Sequence, residues 1–203
     1  TFGVSGNEEE IRSLIAGEII EYVDEIFTDT LGNLIAVKRG NGKKIMYAAH
    51  MDEIGVMATH IDDNGFIRFS NVGWVSPQYS LGQRVRFKNG TQGVVFYEQK
   101  EELKNLKLSN MYIDIGAKNK EETEKKVKIG DTACFVGSTY KQENVIISKA
   151  LDNRIGCAVL IKAIKEIETA KNELYFVFTV QEELGLRGAK TAAYKIMPDF
   201  AVV

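Results

Sequence analysis

The chain has 203 residues, of which 44% are hydrophobic and 27% charged, a balance typical of a globular protein with a substantial core. Its 26 Lys and Arg against 28 Asp and Glu give a net charge of −2, which offers no electrostatic basis for binding nucleic acid or an anionic membrane. No apolar run reaches the roughly 18 to 20 residues of a membrane span, and no signal-peptide pattern is present. Cys134 and Cys157 lack the spacing of a zinc or redox motif, so we expect reduced thiols and a cytoplasmic location.

The first part of the chain predicts a helix followed by strands. Asn7 and Glu10 have the spacing of a capping box. Apolar residues then recur at helical spacing: Ile11, Leu14, Ile15, Ile19 and Tyr22. We expect strands at Leu34–Arg39 and Lys44–Ala49, joined as a hairpin through Gly40-Asn41-Gly42. The second strand is a continuous apolar run, which indicates burial on both faces.

From about Asp62 the pattern changes to short β-like runs separated by turn residues. These runs are Phe66–Val72, Arg84–Phe87, Gly93–Tyr97 and Thr132–Val136. The charged segment Lys100–Lys128 lies among them and is typical of a solvated loop or short helix. We therefore expect a small β-rich, barrel-like domain at residues 62–144, inserted between two parts of another domain, 1–61 and 145–203.

After about Val145 the pattern of alternating strands and helices returns. A helix is indicated by one apolar stripe: Ile155, Val159, Leu160, Ala163, Ile164 and Ile167. A strand at Leu174–Val180, a helix at Ala189–Lys195 and a strand at Phe200–Val203 follow. Strands that alternate with helices predict an α/β fold with a mixed sheet covered by helices.

Three polar clusters lie near the predicted strand ends and helix starts. His50 and Asp52 follow one strand, Asp152 lies beside a helix start, and Glu182-Glu183 follow another strand. In open α/β sheets, ligands bind beyond the carboxyl ends of the strands. His, Asp and Glu suit Zn²⁺ or Co²⁺, and an acid that does not bind the metal can take a proton from a metal-activated water.

Each cluster also has a purely structural explanation. A lone His at a strand end is more often a satisfied polar residue, Asp152 alone is more often a helix N-cap, and an acidic pair is usually an exposed turn. Asp52 favours a functional role for His50, because a nearby carboxylate can hold the imidazole in one tautomer. Two acids directly after a buried strand would be costly near a core without partners. From these residues alone, no single cluster decides the function.

Four segments, in the same order and spacing, carry a family resemblance. They are Phe2-Gly3-Val4-Ser5-Gly6, Ala49-His50-Met51-Asp52-Glu53-Ile54-Gly55, Lys149-Ala150-Leu151-Asp152-Asn153-Arg154 and Glu182-Glu183-Leu184-Gly185-Leu186-Arg187-Gly188-Ala189. Together they resemble the co-catalytic metalloaminopeptidases of peptidase clan MH. The nearest resemblance is to the glutamyl and leucyl aminopeptidases that assemble into tetrahedral dodecamers, a family that also carries endoglucanase labels.

The resemblance implies a zinc-peptidase-like fold and a site with two divalent metal ions, Zn or Co. His50 would bind one ion, Glu183 the other, and Asp152 would bridge both. Glu182 would be the general base, and Asp52 would orient His50. The implied activity is that of a hydrolase which removes N-terminal residues from peptides through a water that both ions activate. The inserted domain would drive self-association, with a dodecamer in the complete protein.

The family has two further metal ligands, an Asp at the end of the strand that begins at Phe200 and a His further along. Because the chain ends at Val203, we expect a polypeptide of this length to be inactive and to bind metal poorly. For such a fragment a non-catalytic assembly or binding role stays open. The alternative enzyme is a glycan hydrolase, which needs two carboxyl groups about 5 to 10 Å apart across a bond. The sequence indicates neither the preferred N-terminal residue nor the native metal.

Overall fold

A computed structural model describes residues 1–98 and 102–203. The helices are α1 Glu9–Ile19, α2 Pro77–Ser80, α3 Lys120–Glu124, α4 Leu151–Glu166 and α5 Arg187–Ile196. The strands are β1 Glu25–Thr28, β2 Leu34–Lys38, β3 Lys44–His50, β4 Gly55–Ile61, β5 Ile67–Val72, β6 Arg84–Phe87, β7 Gln92–Tyr97, β8 Met111–Asp114, β9 Thr132–Phe135, β10 Tyr140–Gln142, β11 Val145–Ile147, β12 Glu173–Thr179 and β13 Phe200–Val202. Among the described residues no helix has the length and apolar character needed to cross a bilayer; α4 has 16 residues.

The chain divides into two compact units. The α/β unit comprises residues 1–53 and 150–203, and the barrel unit comprises residues 54–149. The barrel unit therefore extends beyond the 62–144 expected from the sequence at both ends. At its start β4 pairs with β5 and β9, and at its end β11 pairs with β10.

The α/β unit contains a mixed sheet in the order β1-β2-β12-β3-β13. β12 pairs parallel with β3 and antiparallel with β2, and β13 pairs parallel with β3. The predicted hairpin between β2 and β3 is wrong, because β12 lies between these two strands. The glycines of its turn pack closely against the segment before β12: a Cβ added to Gly40 would lie 2.3 Å from the Asn172 carbonyl oxygen.

Helices cover both faces of this sheet, as the α/β prediction requires. On one face the core joins α1 and α4 to the sheet and includes Ile11, Ile15, Ile19, Cys157, Leu160, Ile164, Phe176 and Phe178. On the other face α5 contributes to a core that includes Ile35, Val37, Met46, Ala48, Val177, Ala192 and Ile196. Successive residues of β12 thus enter opposite cores, which explains the continuous apolar run of this strand.

The predicted helices form, but the predicted capping box of α1 and part of the predicted buried face of α4 are wrong. Glu8 is the N-cap of α1 and no described side chain caps it, so Asn7 and Glu10 do not form a capping box there. On α4, Ile155 and Val159 are 56% and 59% exposed, because the buried face of this helix is centred on Cys157, Leu160 and Ile164 instead.

The barrel unit contains a closed barrel of six described strands in the order β4-β5-β8-β7-β6-β9, which confirms the β-rich, barrel-like prediction. Its interior is apolar and includes Val56, Ile67, Val85, Val95, Met111 and Ile113. The interpretation of Lys100–Lys128 as a solvated loop or short helix is only partly correct. α3 lies there, but so does β8, whose Met111 and Ile113 are fully buried; residues 99–101 lie outside the described residues.

Candidate active site

Strand pairing brings the predicted polar clusters to one edge of the sheet. His50, the last residue of β3, pairs with Thr179, the last residue of β12. Glu182 and Glu183 follow β12 at this edge because parallel strands end on the same side. Asp152 approaches from the start of α4. It does not cap that helix: the backbone of Asp152 and Asn153 is not helical, and the side chain that accepts a capping hydrogen bond is that of Asn153, whose Oδ1 lies 3.1 Å from the Gly156 N–H.

The His50 imidazole is 6% exposed and contacts acidic groups through both ring nitrogens. Its Nε2 lies 3.0 Å from Asp152 Oδ1 and 3.7 Å from Glu182 Oε2. Its Nδ1 lies 3.2 Å from the backbone oxygen of Asp52 and 3.5 Å from Asp52 Oδ1. Burial by itself lowers the pKa of His50, but the hydrogen bond and charge of Asp52, with Asp152 and Glu182, outweigh burial and raise this pKa to about 9. The surrounding carboxylates therefore favour a positive charge at this position.

His50, Glu182 and Glu183 form a group with the spacing of metal ligands. Each offers one ligand atom, and these atoms all lie within 4.8 Å of one another. Burial raises the pKa of Glu183, and the negative charges of Glu182, Asp52 and Asp152 add to this effect against the opposing influence of His50. Asp152 adjoins the group through His50, although its side chain is 89% exposed. An imidazole among crowded carboxylates is a donor set that suits a divalent cation.

Asp52 lies behind this group and is fully buried. Its Oδ1 accepts a hydrogen bond from the Glu182 backbone N–H at 3.1 Å, and its Oδ2 accepts one from the Glu183 N–H at 3.2 Å. Burial tends to raise the pKa of Asp52, but hydrogen bonds from His50, Ser5 and Glu182 prevail and lower it. An ionised Asp52 thus contacts both the imidazole and the backbone that carries the two glutamates.

The sequence interpretation misses two residues beside Asp52. Ser5 is buried and its hydroxyl donates to Asp52 Oδ2 at 2.5 Å, because Val4 forms a parallel bridge with Glu53. Glu8 is also buried, and its Oε1 accepts a hydrogen bond from the Gln181 N–H at 3.2 Å. The local sequence of Gly3–Gly6 indicates only a turn, and the order of the motifs along the chain is the one signal that points to this segment.

Close packing holds the start of α4 near the end of β3. Arg154 Nη2 lies 3.2 Å from Glu53 Oε1, an ion pair whose side chains are 17% and 5% exposed. A Cβ added to Gly156 would lie 2.1 Å from Asn153 Oδ1 and 3.1 Å from Ala49 Cβ. Both features fix the position of Asp152 relative to His50, since Asp152 lies between Ala150 and Arg154 on this helix start.

A cavity of about 180 Å³ opens at this site. His50, Asp152 and Glu182 line its polar side, while Leu186 and Ala189 belong to its apolar side. These polar side chains therefore face a space that can hold a small ligand rather than the protein core.

The chain as a whole is similar to proteins of one known family. The model of the M42 glutamyl aminopeptidase family matches residues 32–203. A curated relative from Acetivibrio thermocellus is 68% identical over 201 residues, which are 98% of this chain and 61% of that protein. The chain spans 61%, 60% and 62% of the length of three curated relatives that it matches.

Solved structures give the same picture. The aminopeptidase APDkam598 from Desulfurococcus kamchatkensis is 39% identical with a TM-score of 0.94, over 99% of this chain and 58% of that one. The TET1 peptidase of Pyrococcus horikoshii, whose structure is described as assembling into a tetrahedron or a large octahedral shell, is 36% identical with a TM-score of 0.90, over 99% of this chain and 64% of that one. Family match, sequence identity and fold together confirm the resemblance in the motifs: the chain belongs to the M42 glutamyl aminopeptidase family.

Proposed function

We propose that residues 1–203 form the larger part of an aminopeptidase that uses two divalent metal ions to remove N-terminal residues from peptides. The observation that carries this proposal is the group of ligand atoms from His50, Glu182 and Glu183, within 4.8 Å of one another at the carboxyl edge of a mixed sheet. The family match and the aminopeptidase with a TM-score of 0.94 support the reaction class.

The donor chemistry of the site fits such ions. Asp52 contacts His50 Nδ1 and leaves Nε2 directed at the acids, the pattern in which a carboxylate fixes the tautomer of a metal-binding histidine. A cation would also counter the burial and the carboxylate repulsion that together raise the pKa of Glu183. We assign His50 to one ion, Glu183 to the other, and Asp152 to a bridge between them. Imidazole and carboxylate ligands suit Zn or Co.

When bound, the two ions supply an anchor for the free amino terminus, polarisation of the first carbonyl and a lowered pKa for the attacking water. The chain's own groups then move the proton. Glu182 Oε2 takes it from the water and passes it to the nitrogen of the leaving amine, so Glu182 is the general base. Asp52 contacts the backbone of Glu182 and the ring of His50. It thereby fixes the position of the general base relative to the metal ligand.

The adjacent glutamates provide a matched pair of variants for the test. In the complete protein, Glu182→Gln should lower kcat by about 100- to 10,000-fold, the usual contribution of a general base, while the metal content stays near that of the wild type. Glu183→Gln should instead lose bound metal. Metal analysis and turnover of an aminoacyl chromogenic substrate measure both effects. Loss of metal in Glu182→Gln with retention in Glu183→Gln would exchange the two roles, and normal turnover in both variants would contradict the proposal.

On these assignments residues 1–203 supply two protein ligands to each ion, fewer than the usual three or so at catalytic zinc. We therefore propose that a polypeptide of residues 1–203 alone binds Co²⁺ weakly and turns over no peptide. It would then retain a non-catalytic binding or assembly role. Full aminopeptidase turnover by purified polypeptide of this length would contradict this expectation.

We propose that the complete protein self-associates through its barrel unit. The assembled TET1 relative supports it, and so does the apolar surface of this unit, where Trp74 and Tyr79 are 75% and 77% exposed. Light scattering should give the mass of a dodecamer for the complete protein. A monomer at micromolar concentration would rule out assembly.

A cytoplasmic location follows from the thiols, and we propose it on that ground. Cys134 and Cys157 are both free and buried, which suits a reducing compartment. Fractionation of the source cells should leave the protein with cytosolic markers, and recovery from the medium or from membranes would contradict this.

Glycan hydrolysis is less compatible with this geometry. Glu182 and Glu183 follow the same strand, and their ligand atoms lie within 4.8 Å of each other, whereas glycosidases hold two carboxyl groups about 5 to 10 Å apart on opposite sides of the scissile bond. A glycosidase would also leave His50 without a role. Cellulose derivatives and aminoacyl substrates tested on the same metal-loaded enzyme separate the two activities.

A further inference from the structure

The turn after β12 is held by side chains from a distant part of the sequence. Four consecutive backbone N–H groups, those of residues 180–183, each donate to a buried side-chain oxygen. The pairs are Val180 to Asn33 Oδ1 at 3.0 Å, Gln181 to Glu8 Oε1 at 3.2 Å, Glu182 to Asp52 Oδ1 at 3.1 Å and Glu183 to Asp52 Oδ2 at 3.2 Å. The position of the two glutamates therefore depends on three residues from the first 52 of the chain.

Glu8 is the least expected of these three residues. It is 4% exposed, and its Oε1 accepts hydrogen bonds from both the Gly6 N–H, at 2.7 Å, and the Gln181 N–H. Glu8 is the N-cap of α1, yet its side chain makes no capping hydrogen bond to any described residue of that helix. Its carboxylate is directed to the turn after β12 instead of stabilising its own helix.

The backbone conformation of Gln181 explains the importance of this contact. Its φ is +52°, in the left-handed region that a residue with a Cβ adopts at an energetic cost. Such a conformation persists only where the surroundings hold it. The hydrogen bond from the Gln181 N–H to Glu8 holds the peptide that precedes Glu182. A change in the backbone dihedral angles of Gln181 would therefore rotate the backbone from which both glutamates extend.

We propose that Glu8 is a positioning residue for Glu182 and Glu183, acting through the Gln181 backbone. The inference rests on the proposed function for the roles of the two glutamates. Glu8 touches neither substrate nor metal. Its part is to accept the Gln181 hydrogen bond, while Asp52, which itself accepts from the Ser5 hydroxyl, accepts hydrogen bonds from the two N–H groups that follow.

Three variants of the complete protein separate this role from simple stabilisation of the fold. Glu8→Ala removes the acceptor, Glu8→Gln keeps a carbonyl oxygen that can accept both N–H groups, and Glu168→Ala makes the same change at an exposed position after α4. We measure kcat and KM on an aminoacyl chromogenic substrate, Co²⁺ affinity from the visible absorption of the bound ion, and the Tm. The assays are run at a temperature at which every variant is folded.

We expect Glu8→Ala to lower kcat by about 10- to 100-fold with a smaller change in KM, and to weaken Co²⁺ binding by about 10-fold, the scale of a lost supporting contact at a metal site. Glu8→Gln should stay within about threefold of the wild type, because its amide oxygen can still accept both hydrogen bonds. Glu168→Ala should match the wild type in all readouts.

Two results would overturn the proposal. One is a Glu8→Ala protein with a lower Tm but unchanged kcat and Co²⁺ affinity, which would make Glu8 structural only. The other is a Glu8→Gln protein as impaired as Glu8→Ala. Should Glu8→Ala not fold, Glu8→Asp withdraws the acceptor by one methylene: a partial loss supports the proposal and wild-type behaviour overturns it. If the wild type itself cleaves no peptide, the proposed function fails, and Co²⁺ affinity still tests Glu8.

Discussion

Asp52→Asn is the substitution that tests the site's internal support most sharply. Asp52 is fully buried and, besides its contact with His50, accepts hydrogen bonds from the Glu182 N–H at 3.1 Å, the Glu183 N–H at 3.2 Å and the Ser5 hydroxyl at 2.5 Å. Asparagine preserves the shape of the side chain but replaces one acceptor oxygen with an NH₂ group, which only donates. Ser5 can turn its hydroxyl to accept from this group, whereas a backbone N–H cannot.

The size of the effect follows from this mismatch. Whichever way the amide is oriented, either the Glu182 or the Glu183 N–H loses its acceptor, and a buried unsatisfied donor costs about 1 to 3 kcal/mol. The hydrogen bonds that remain at residue 52 are also weaker, because their acceptor is no longer a charged carboxylate. We therefore expect the free energy of unfolding to fall by about 2 to 3 kcal/mol. Loss of the carboxylate beside His50 Nδ1 should also weaken Co²⁺ binding by about 10- to 100-fold.

The assay compares Asp52→Asn with Asp63→Asn, which makes the same chemical change at an exposed position of the barrel unit. Thermal unfolding of the complete protein without metal measures stability, and Co²⁺ absorption titration measures affinity. Asp63→Asn should match the wild type in both. If the two variants behave alike, Asp52 does not organise the site and the reasoning is refuted.

Two further pairs of substitutions test the packing. Gly156→Ala should lower the free energy of unfolding by about 1 to 3 kcal/mol through overpacking, because its Cβ would lie 2.1 Å from Asn153 Oδ1. Gly17→Ala, where a Cβ meets no described atom within 4 Å apart from its chain neighbours and the backbone of its own helix, should raise it by about 0.5 to 1 kcal/mol; equal effects in thermal unfolding would contradict this. Ile113→Ala in the barrel interior should cost about 2 to 5 kcal/mol, against about 0.5 kcal/mol or less for Ile129→Ala at a 66% exposed position. Similar losses of Tm would show that β8 is not part of the core.

Much of the sheet could be predicted because its central strands carry a local signal. β3 and β12 are uninterrupted apolar runs, and each is buried by helices on both faces. Polar residues at the ends of such strands stand out from the residues around them. That contrast is why the amino-acid sequence alone singles out His50, Asp52, Glu182 and Glu183.

The predictions from the sequence are wrong where strands pair with partners that are distant along the chain or where burial depends on such pairing. The Gly40-Asn41-Gly42 turn resembles a hairpin turn, but β12, more than a hundred residues later, pairs with β2 and β3 and separates them. The sequence does not predict β8, because charged residues surround its short apolar pattern. Only closure of the barrel buries Met111 and Ile113. On α4, Ile155 and Val159 fit a helical stripe but lie away from the sheet.

The residues that support the site could not be identified from the sequence for a related reason. Ser5 and Glu8 form hydrogen bonds with residues 47 and 173 positions away. No periodicity or local motif encodes such contacts. Glu8 in particular has the position of a helix cap, and only the structure shows that its side chain reaches Gln181 instead.

The most direct test of the account follows the fate of one peptide in two forms, one with a free amino terminus and one N-acetylated. Mass spectrometry should show stepwise loss of N-terminal residues from the free form by the complete, metal-loaded protein. The acetylated form should remain intact, and both forms should survive when a chelator has removed the metal or when Glu182→Gln replaces the wild type. Equal cleavage of the acetylated peptide, or an undiminished rate after metal removal, would contradict a metal-dependent aminopeptidase built on His50, Glu182 and Glu183.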